Sequence, residues 1–386
     1  MVYAMFSIGI LGFLVWSQFF PCSEDWVALS YCEVGVTNLA ICWNSSTLLG
    51  TFSRKNLSSY TQSAGNHNSY SGVPQRLHAR HLISHNFAAF RKLYEAAQRS
   101  AQRGVGFTNN ISETWLSWFV GFAEGDGALL THGGRPQFVL TQKEGSILEH
   151  IKNVLGFGTV RTISSPSGGG TIYYRYIVGD IKGVMLLALI FNGNLAIPHR
   201  VTQLRKWLDD INNRLKNPDS SIFELCSPIV LITSLFLPSL NDGWISGFTD
   251  AEGTFNVNIS KRGNTPPCGV TGYRIQLRFC LDQKIAVDLL GHIRDIFGYG
   301  AVILRKKDMF RYYCDTFVGL GLICRYFASF PLKTKKATSL ANWLKVYEMV
   351  LNKEHLTDKG LQKVREIKRT INITNAQNSK TGSAKP

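Results

Sequence analysis

The chain has 386 residues, 45% of them hydrophobic, and 42 Lys+Arg against 26 Asp+Glu give a formal charge of +16. That length and apolar content exclude a disordered polymer and predict two or three domains with sizeable cores. The basic balance favours a polyanionic partner, nucleic acid first and an anionic membrane surface second. The eight cysteines (22, 32, 42, 226, 268, 280, 314, 324) form no CxxC pair and no close Cys/His spacing. Neither a zinc site nor a disulfide framework is predicted, and the thiols read as free in a reducing compartment.

Residues 2–20, VYAMFSIGILGFLVWSQFF, are uncharged and have the length of a membrane span, with no basic n-region of a secretory signal. Residues 1–17, MVYAMFSIGILGFLVWS, resemble cytochrome c oxidase subunit I at the helix that leads into its copper-ligating histidines. The resemblance stops after Ser17, because Gln18, Phe19 and Phe20 stand where that family has its histidines. It implies an exon-derived segment and an intron reading frame in that mitochondrial gene, translated in continuity with the upstream exon. Residues 18–110 are rich in Ser, Asn and Gly and read as a largely irregular linker with one helical patch. His78, His81 and His85 fall in that basic, solvated patch and are not read as a metal cluster.

Beyond residue 110 the pattern becomes globular and repeats itself. In the first unit, 111–215, the helical WLSWFVGFAEGDG leads to the strand PQFVLTQ, the helix KEGSILEHIKNVLGFG and further short strands through YYRYIVGD. After a connector at 216–241, the second unit, 242–370, runs GWISGFTDAEG, TFNVNIS, YRIQLRFCLDQ, KIAVDLLGHIRDIFGYG, AVILR and MFRYYC. Each unit closes with a helix, near 199–215 and 335–351, and residues 371–386 read as a tail. In the second unit Phe255, Val257 and Ile259 alternate with Asn256, Asn258 and Ser260, and Ile275, Leu277 and Phe279 alternate with Arg274, Gln276 and Arg278. One sheet face is therefore expected on helices. The other carries forked donors and acceptors suited to base edges. Candidate DNA contacts are Gln137, Arg161 and Arg175 in the first unit, and Asn256, Asn258, Arg274, Gln276, Arg278 and Arg305 in the second.

Each opening helix ends in two acids two residues apart, Glu124 and Asp126 in the first unit and Asp250 and Glu252 in the second. A carboxylate at a helix C-terminus opposes the macrodipole, so each acid is locally unfavourable. Gly121 and Gly125, and Gly247 and Ala251, place small residues four apart, a spacing that lets two helices touch along one stripe. Such a seam would set Asp126 and Glu252 side by side, where two carboxylates share a proton or bind a cation. With oxygen ligands and no His or Cys nearby, Mg²⁺ (or Mn²⁺) is the expected ion, in a site suited to phosphodiester hydrolysis. Glu124 and Asp250 face another way and read as helix-end caps or lysine partners.

The duplicated GFAEGDG and GFTDAEG, with TQK and DQK strand ends, GFG and GYG turns and the PLKTKK segment, resemble the paired motifs of the single-chain LAGLIDADG homing endonucleases over about residues 111–351. The resemblance implies an α+β fold of two pseudo-symmetric αββαββα lobes forming a DNA-binding saddle, in a monomer acting on double-stranded DNA at the intron insertion site. It assigns metal binding to Asp126 and Glu252, water positioning to Gln142 and Gln283, and a basic catalytic role to Lys335, with Lys333 and Lys336 as neighbouring alternatives. In the first lobe His199 or Arg200 stands in the basic position, and Trp118 replaces a usually small residue. The pairing of Asp126 with Glu252 makes the two centres unequal. An alternative within the same family is a maturase binding the host intron's RNA, which needs basic surface but no catalytic acids. A membrane role rests on residues 1–17 alone, since residues 111–386 contain no second apolar span.

Overall fold

A computed structural model describes residues 84–100, 110–164, 172–216, 228–263 and 270–372, all within one compact unit that begins at Arg76. The exon-like segment 1–17, His78, His81 and most of the expected linker lie outside the described residues. None of the described helices is long and apolar enough to cross a membrane.

The two repeats fold into two lobes of the same plan. Helix α1 (Ala88–Ser100) precedes the first lobe, which consists of α2 (Glu113–Asp126), β1 (Gly127–His132), β2 (Arg135–Gln142), α3 (Gly145–Leu155), β3 (Thr159–Ser164), β4 (Ile172–Val178), α4 (Ile181–Phe191) and α5 (Pro198–Leu215). The second lobe repeats it with α6 (Trp244–Glu252), β5 (Gly253–Lys261), β6 (Tyr273–Lys284), α7 (Val287–Phe297), β7 (Ala301–Lys306), β8 (Met309–Cys314), α8 (Phe317–Ser329) and α9 (Lys336–Leu351). It then adds a 3₁₀ turn, Glu354–Leu356, and helix α10 (Asp358–Arg369). The antiparallel sheets run β1-β2-β4-β3 and β5-β6-β8-β7.

Local chemistry sets the boundaries. Ser112 caps α2 by accepting from the Trp115 N–H, and Glu113 adds negative charge to the first turn. Gly156 and Gly298 end α3 and α7 in the left-handed conformation, at φ 76° and 70°, which explains the GFG and GYG turns. Phe138, Leu140, Phe255, Phe279 and Leu277 face inward onto the helices, as the alternation predicts. Trp207 and Trp343 tie the last helix of each lobe to its first strand, donating to the carbonyls of Leu130 (2.8 Å) and Asn256 (3.0 Å).

The structure departs from the sequence expectation in three places. Each lobe has one more helix than αββαββα, namely α4, whose near-continuous apolar sequence is buried on almost every side, and α8, which buries the single face of Gly319, Leu320, Ile323, Tyr326 and Phe327. The lobe boundary expected at residue 110 moves toward the N-terminus. Phe87, Phe90 and Tyr94 are buried, Tyr94 donates to the Leu155 carbonyl (3.1 Å), and Asn86 and Asn194 exchange two hydrogen bonds (2.8 and 3.0 Å). His85, read as solvated, packs its ring 3.7 Å from that of Phe236, and burial pushes its pKa down to about 3. Finally, the expected tail begins later than 371, because Ile371 is buried and Asn372 donates to the Phe255 carbonyl at 2.5 Å.

Candidate active site and nucleic-acid interface

The site is built at the seam between α2 and α6. A Cβ placed on Gly121 would run into the Trp244 carbonyl, and one on Gly247 into the Trp118 carbonyl, while the same atom on Gly125 would strike the Ala251 methyl. All four predicted interface positions therefore lie on the contact stripe, with backbone touching backbone at Gly121 and Gly247. Ser117 Oγ accepts from the Gly243 N–H (2.9 Å) near the start of the stripe. Asp126 and Glu252 are the last residues of the two helices and reach the same end of the seam.

Both acids are partly buried, and the charge of Asp126 acts on Glu252. Burial, then the negative charge of Asp126, pushes the Glu252 pKa up to about 7, with Asp282 adding to the effect and Lys336 and Arg200 opposing it. Burial also raises Asp126, against the amide of Gln142, which donates to its Oδ2 at 2.5 Å. Gln283 occupies the equivalent strand end and is buried, but no such bond joins it to Glu252 among the described residues. The two centres are unequal in this respect as well as in their acids.

The basic partners differ from the sequence assignment. Lys335 is exposed and turns its backbone N–H to Glu144 Oε2 (2.9 Å), whereas Lys336 points its Nζ into the seam and donates to the carbonyls of Ala251 (2.7 Å) and Thr249 (3.1 Å). Of Lys335 and its two neighbouring alternatives, Lys336 is thus the one whose ammonium is bonded at the end of the seam. Helix geometry separates it from Lys335, since one step along the first turn rotates the side chain by about 100°. Lys333 instead places its ammonium 5.6 Å from the Trp118 ring centroid. In the first lobe Arg200 is the counterpart of Lys336. Its Nε and Nη2 donate to the Glu124 carbonyl (3.1 and 2.8 Å) and Nη2 also to that of Gly125 (3.3 Å), while His199 is exposed. Burial lowers the pKa of both Lys336 and Arg200, and the site acids oppose this. These cations cover the terminal carbonyls of α2 and α6, which offsets placing a carboxylate against each helix dipole.

Sequence reasoning missed the task of the first acids. Glu124 is 1% exposed and accepts from the N–H groups of Ala196 and Ile197 and from Trp244 Nε1 of the other lobe (2.7 Å). Asp250, 3% exposed, accepts from the N–H groups of Lys333 and Thr334, from Thr334 Oγ1, and from Trp118 Nε1 across the seam (2.8 Å). They are caps, as expected, but caps for the segments that open α5 and α9 rather than for their own helices. Burial pushes Glu124 up to about 7 and also raises Asp250, against these hydrogen bonds. The sequence repeats a spacing, with Trp118 six residues before Glu124 and Trp244 six before Asp250, but that spacing relates each ring to the acid of its own helix and does not announce the crossed bonds.

On the outer sheet face Gln137, Arg161 and Arg175 are exposed, with Arg161 directly opposite Arg175 across β3 and β4. Arg274, Asn258 and Arg305 are likewise exposed on the second sheet. Four predicted contacts are more constrained than their pattern suggests. Gln276 and Arg278 both donate to Asp315 (2.9 and 3.0 Å), Arg278 also lies 4.8 Å from the Tyr313 ring centroid, and Asn256 donates to Cys280 Sγ at 3.8 Å. Arg305 is held by Asp282 (3.2 Å), which a two-pronged bond from Arg311 (2.6 and 2.5 Å) also engages. Burial would raise the Asp282 carboxyl, but the two arginines outweigh it and hold it below its ordinary value.

The donor set fits a hard divalent cation. Two carboxylates converge with no imidazole or thiolate beside them, and they gain by sharing positive charge. Among the described residues no group of three His, Cys, Asp or Glu side chains could hold a metal, so an ion here would complete its shell with water and phosphate oxygens.

Two lobes sharing one helix seam, with an acid from each at its end and a basic sheet face on each, define a duplicated α+β protein with a two-acid centre between its lobes. The sequence profile described as LAGLIDADG endonuclease matches residues 245–347. The chain is 32% identical over 297 residues to probable intron-encoded endonuclease 4 of Neurospora crassa, a match covering 74% of this chain and 51% of the relative. It is 23% identical over 251 residues to an uncharacterised 37.2 kDa protein of cox1 intron 2 in Schizosaccharomyces pombe, covering 64% of this chain and 70% of that protein. The fold matches the LAGLIDADG meganuclease I-AabMI, crystallised bound to uncleaved DNA, with a TM-score of 0.52 and 24% identity over 66% of this chain and 99% of the other. The second lobe thus matches the LAGLIDADG endonuclease profile and the chain shares the fold of a LAGLIDADG meganuclease, and it spans about half the length of the Neurospora relative.

Proposed function

We propose that the chain is a site-specific DNA endonuclease that cuts both strands of a duplex at the intron insertion site, one at each centre of the α2/α6 seam. The observation that carries this reading is the convergence of Asp126 and Glu252, one from each half of a duplicated fold, with Arg200 and Lys336 each close enough to influence both acids. One acid per lobe, related by pseudo-twofold symmetry, suits two antiparallel strands. Asp126 and Glu252 would hold Mg²⁺ (or Mn²⁺), which when bound supplies charge stabilisation to the attacking and leaving oxygens. Gln142, fixed by its bond to Asp126, is placed to orient a water with its remaining amide atoms. Arg200 and Lys336 contribute positive charge beside the scissile phosphates without leaving the helix ends they cover. The outer sheet faces supply the duplex contacts, with Arg161, Arg175 and Arg274 offering forked donors to bases or phosphates.

The target follows from the exon-like residues 1–17: the joined oxidase subunit I exons around the codon for Ser17, in a mitochondrial genome. An intron-named relative from a cox1 gene supports that setting. The test is digestion, in Mg²⁺ at fixed salt, of two DNA fragments, one joining the exons and one carrying the intron. The joined fragment should be cut near the junction and the interrupted one left intact. Asp126→Asn and Glu252→Gln should each abolish double-strand cutting while retaining DNA binding; a wild-type rate in either would remove that residue from the metal site.

A further inference from the structure

Each first acid of the motif connects three elements, and the connections cross between lobes. In the second lobe Asp250 sits between Thr249 and Ala251, whose carbonyls accept from Lys336 Nζ. The same Asp250 accepts from the N–H groups of Lys333 and Thr334 (2.7 and 3.2 Å) and from Thr334 Oγ1 (2.5 Å), and Thr334 Oγ1 in turn accepts from the Lys336 N–H (3.2 Å). The segment that launches Lys336 is therefore anchored on Asp250. The remaining interaction of that carboxylate comes from the first lobe, where Trp118 Nε1 donates to Oδ2 at 2.8 Å.

The first lobe mirrors this arrangement. Glu124 Oε1 accepts from the Ala196 and Ile197 N–H groups (2.9 and 2.8 Å), and the Arg200 N–H donates to the Ile197 carbonyl (3.0 Å). Arg200 then turns back onto the carbonyl of Glu124 itself. The second oxygen, Oε2, accepts from Trp244 Nε1 of the other lobe at 2.7 Å. Both acids are nearly fully buried, so neither can replace a lost donor with bulk water.

We propose that Glu124 and Asp250 are positioning residues for Arg200 and Lys336, and that each is oriented by the tryptophan of the opposite lobe, so that Trp118 governs the Lys336 centre and Trp244 the Arg200 centre. This rests on the endonuclease reading for its catalytic consequence, but its structural content stands apart from it. Seam packing alone would make the two tryptophans act on their own lobes or on both centres alike. The hydrogen bonds instead require a crossed effect.

The experiment uses the full chain with Trp118→Phe and Trp244→Phe, which keep an aromatic ring and remove the N–H, and Asp250→Asn as a second variant should a tryptophan change prevent folding. Amide hydrogen exchange is read on peptides covering 196–200 and 333–336. Trp118→Phe is expected to speed exchange at 333–336 by roughly tenfold or more and leave 196–200 unchanged, Trp244→Phe to do the reverse, and Asp250→Asn to match Trp118→Phe. Equal acceleration of both segments, or acceleration confined to the mutated lobe, overturns the proposal. On a supercoiled plasmid carrying a site that the wild type cuts, Trp118→Phe should leave the same strand uncut as Lys336→Met, and Trp244→Phe the same strand as Arg200→Met. Nicking that shows no strand bias with Trp118→Phe, but does with Lys336→Met, refutes the positioning role. Failure of the wild type to cut any duplex would instead refute the endonuclease reading and leave the exchange result to decide the crossed connection.

Discussion

Replacing Glu252 by Gln should make the metal-free protein more stable at pH 8 and leave it nearly unchanged at pH 5. Burial and the charge of Asp126 move the Glu252 pKa from 4.5 to about 7. A carboxyl raised on folding contributes stability that is fully present below its ordinary value of 4.5 and is lost as pH rises through about 7. That displacement corresponds to roughly 3 kcal/mol, at about 1.4 kcal/mol per pH unit. Partial exposure and coupling to Asp126 reduce the expected gain to about 2 kcal/mol. His85 works in the opposite direction, since its pKa falls to about 3 and its contribution is lost as pH drops from 6.5. The wild-type profile therefore mixes the two signs, and the difference between wild type and Glu252→Gln isolates the acid. Urea unfolding in EDTA at several pH values between 5 and 8 measures it, with unchanged m-values confirming that the unfolded states are comparable. A difference that stays flat across that range would show that Glu252 is not held near Asp126 in a desolvated seam. Adding Mg²⁺ at pH 8 should raise the stability of the wild type and not of the variant.

Gly121→Ala and Gly247→Ala each force a methyl against a backbone carbonyl of the opposing helix, and each should lower unfolding free energy by about 2 kcal/mol or more, measured by denaturant titration. A loss below about 0.5 kcal/mol would mean the helices separate at no cost. Removing residues 1–105 should lower the melting temperature relative to removing 1–83, because Phe87, Phe90 and Tyr94 leave the core; equal melting temperatures would return α1 to the linker. Lys336→Met should reduce cleavage in the second centre by on the order of a hundredfold, while Lys335→Met retains the wild-type rate, as read by single-turnover kinetics. The reverse order would restore the assignment to Lys335.

The repeated carboxylates, the small-residue stripe and the strand alternation were legible in the chain because each depends on local spacing, which helix and strand periods convert directly into a face. Thus Gly121, Gly125, Gly247 and Ala251 fall on the seam, and Asp126 and Glu252 at its end, as the spacing predicts. What lay beyond the sequence depends on partners distant along the chain. Lys336 differs from Lys335 only by its angle on the first turn of α9, and that angle matters only once α6 lies beneath it. The bonds of Trp118 to Asp250 and Trp244 to Glu124 join residues over a hundred positions apart, and no local pattern records them. Helix α4 gave no amphipathic signal because neighbours cover it on nearly all sides, and α1, read as a basic helical patch in the linker, joins the core through Phe90 and Tyr94 only once the first lobe lies against it. Arg278 and Arg305 bear the residue type of a base reader, but Asp315 and Asp282 orient them, and only the folded sheet brings those acids alongside. Short-range periodicity fixes which side of an element is apolar, whereas the choice among adjacent polar side chains is made by the long-range geometry that buries or exposes each one.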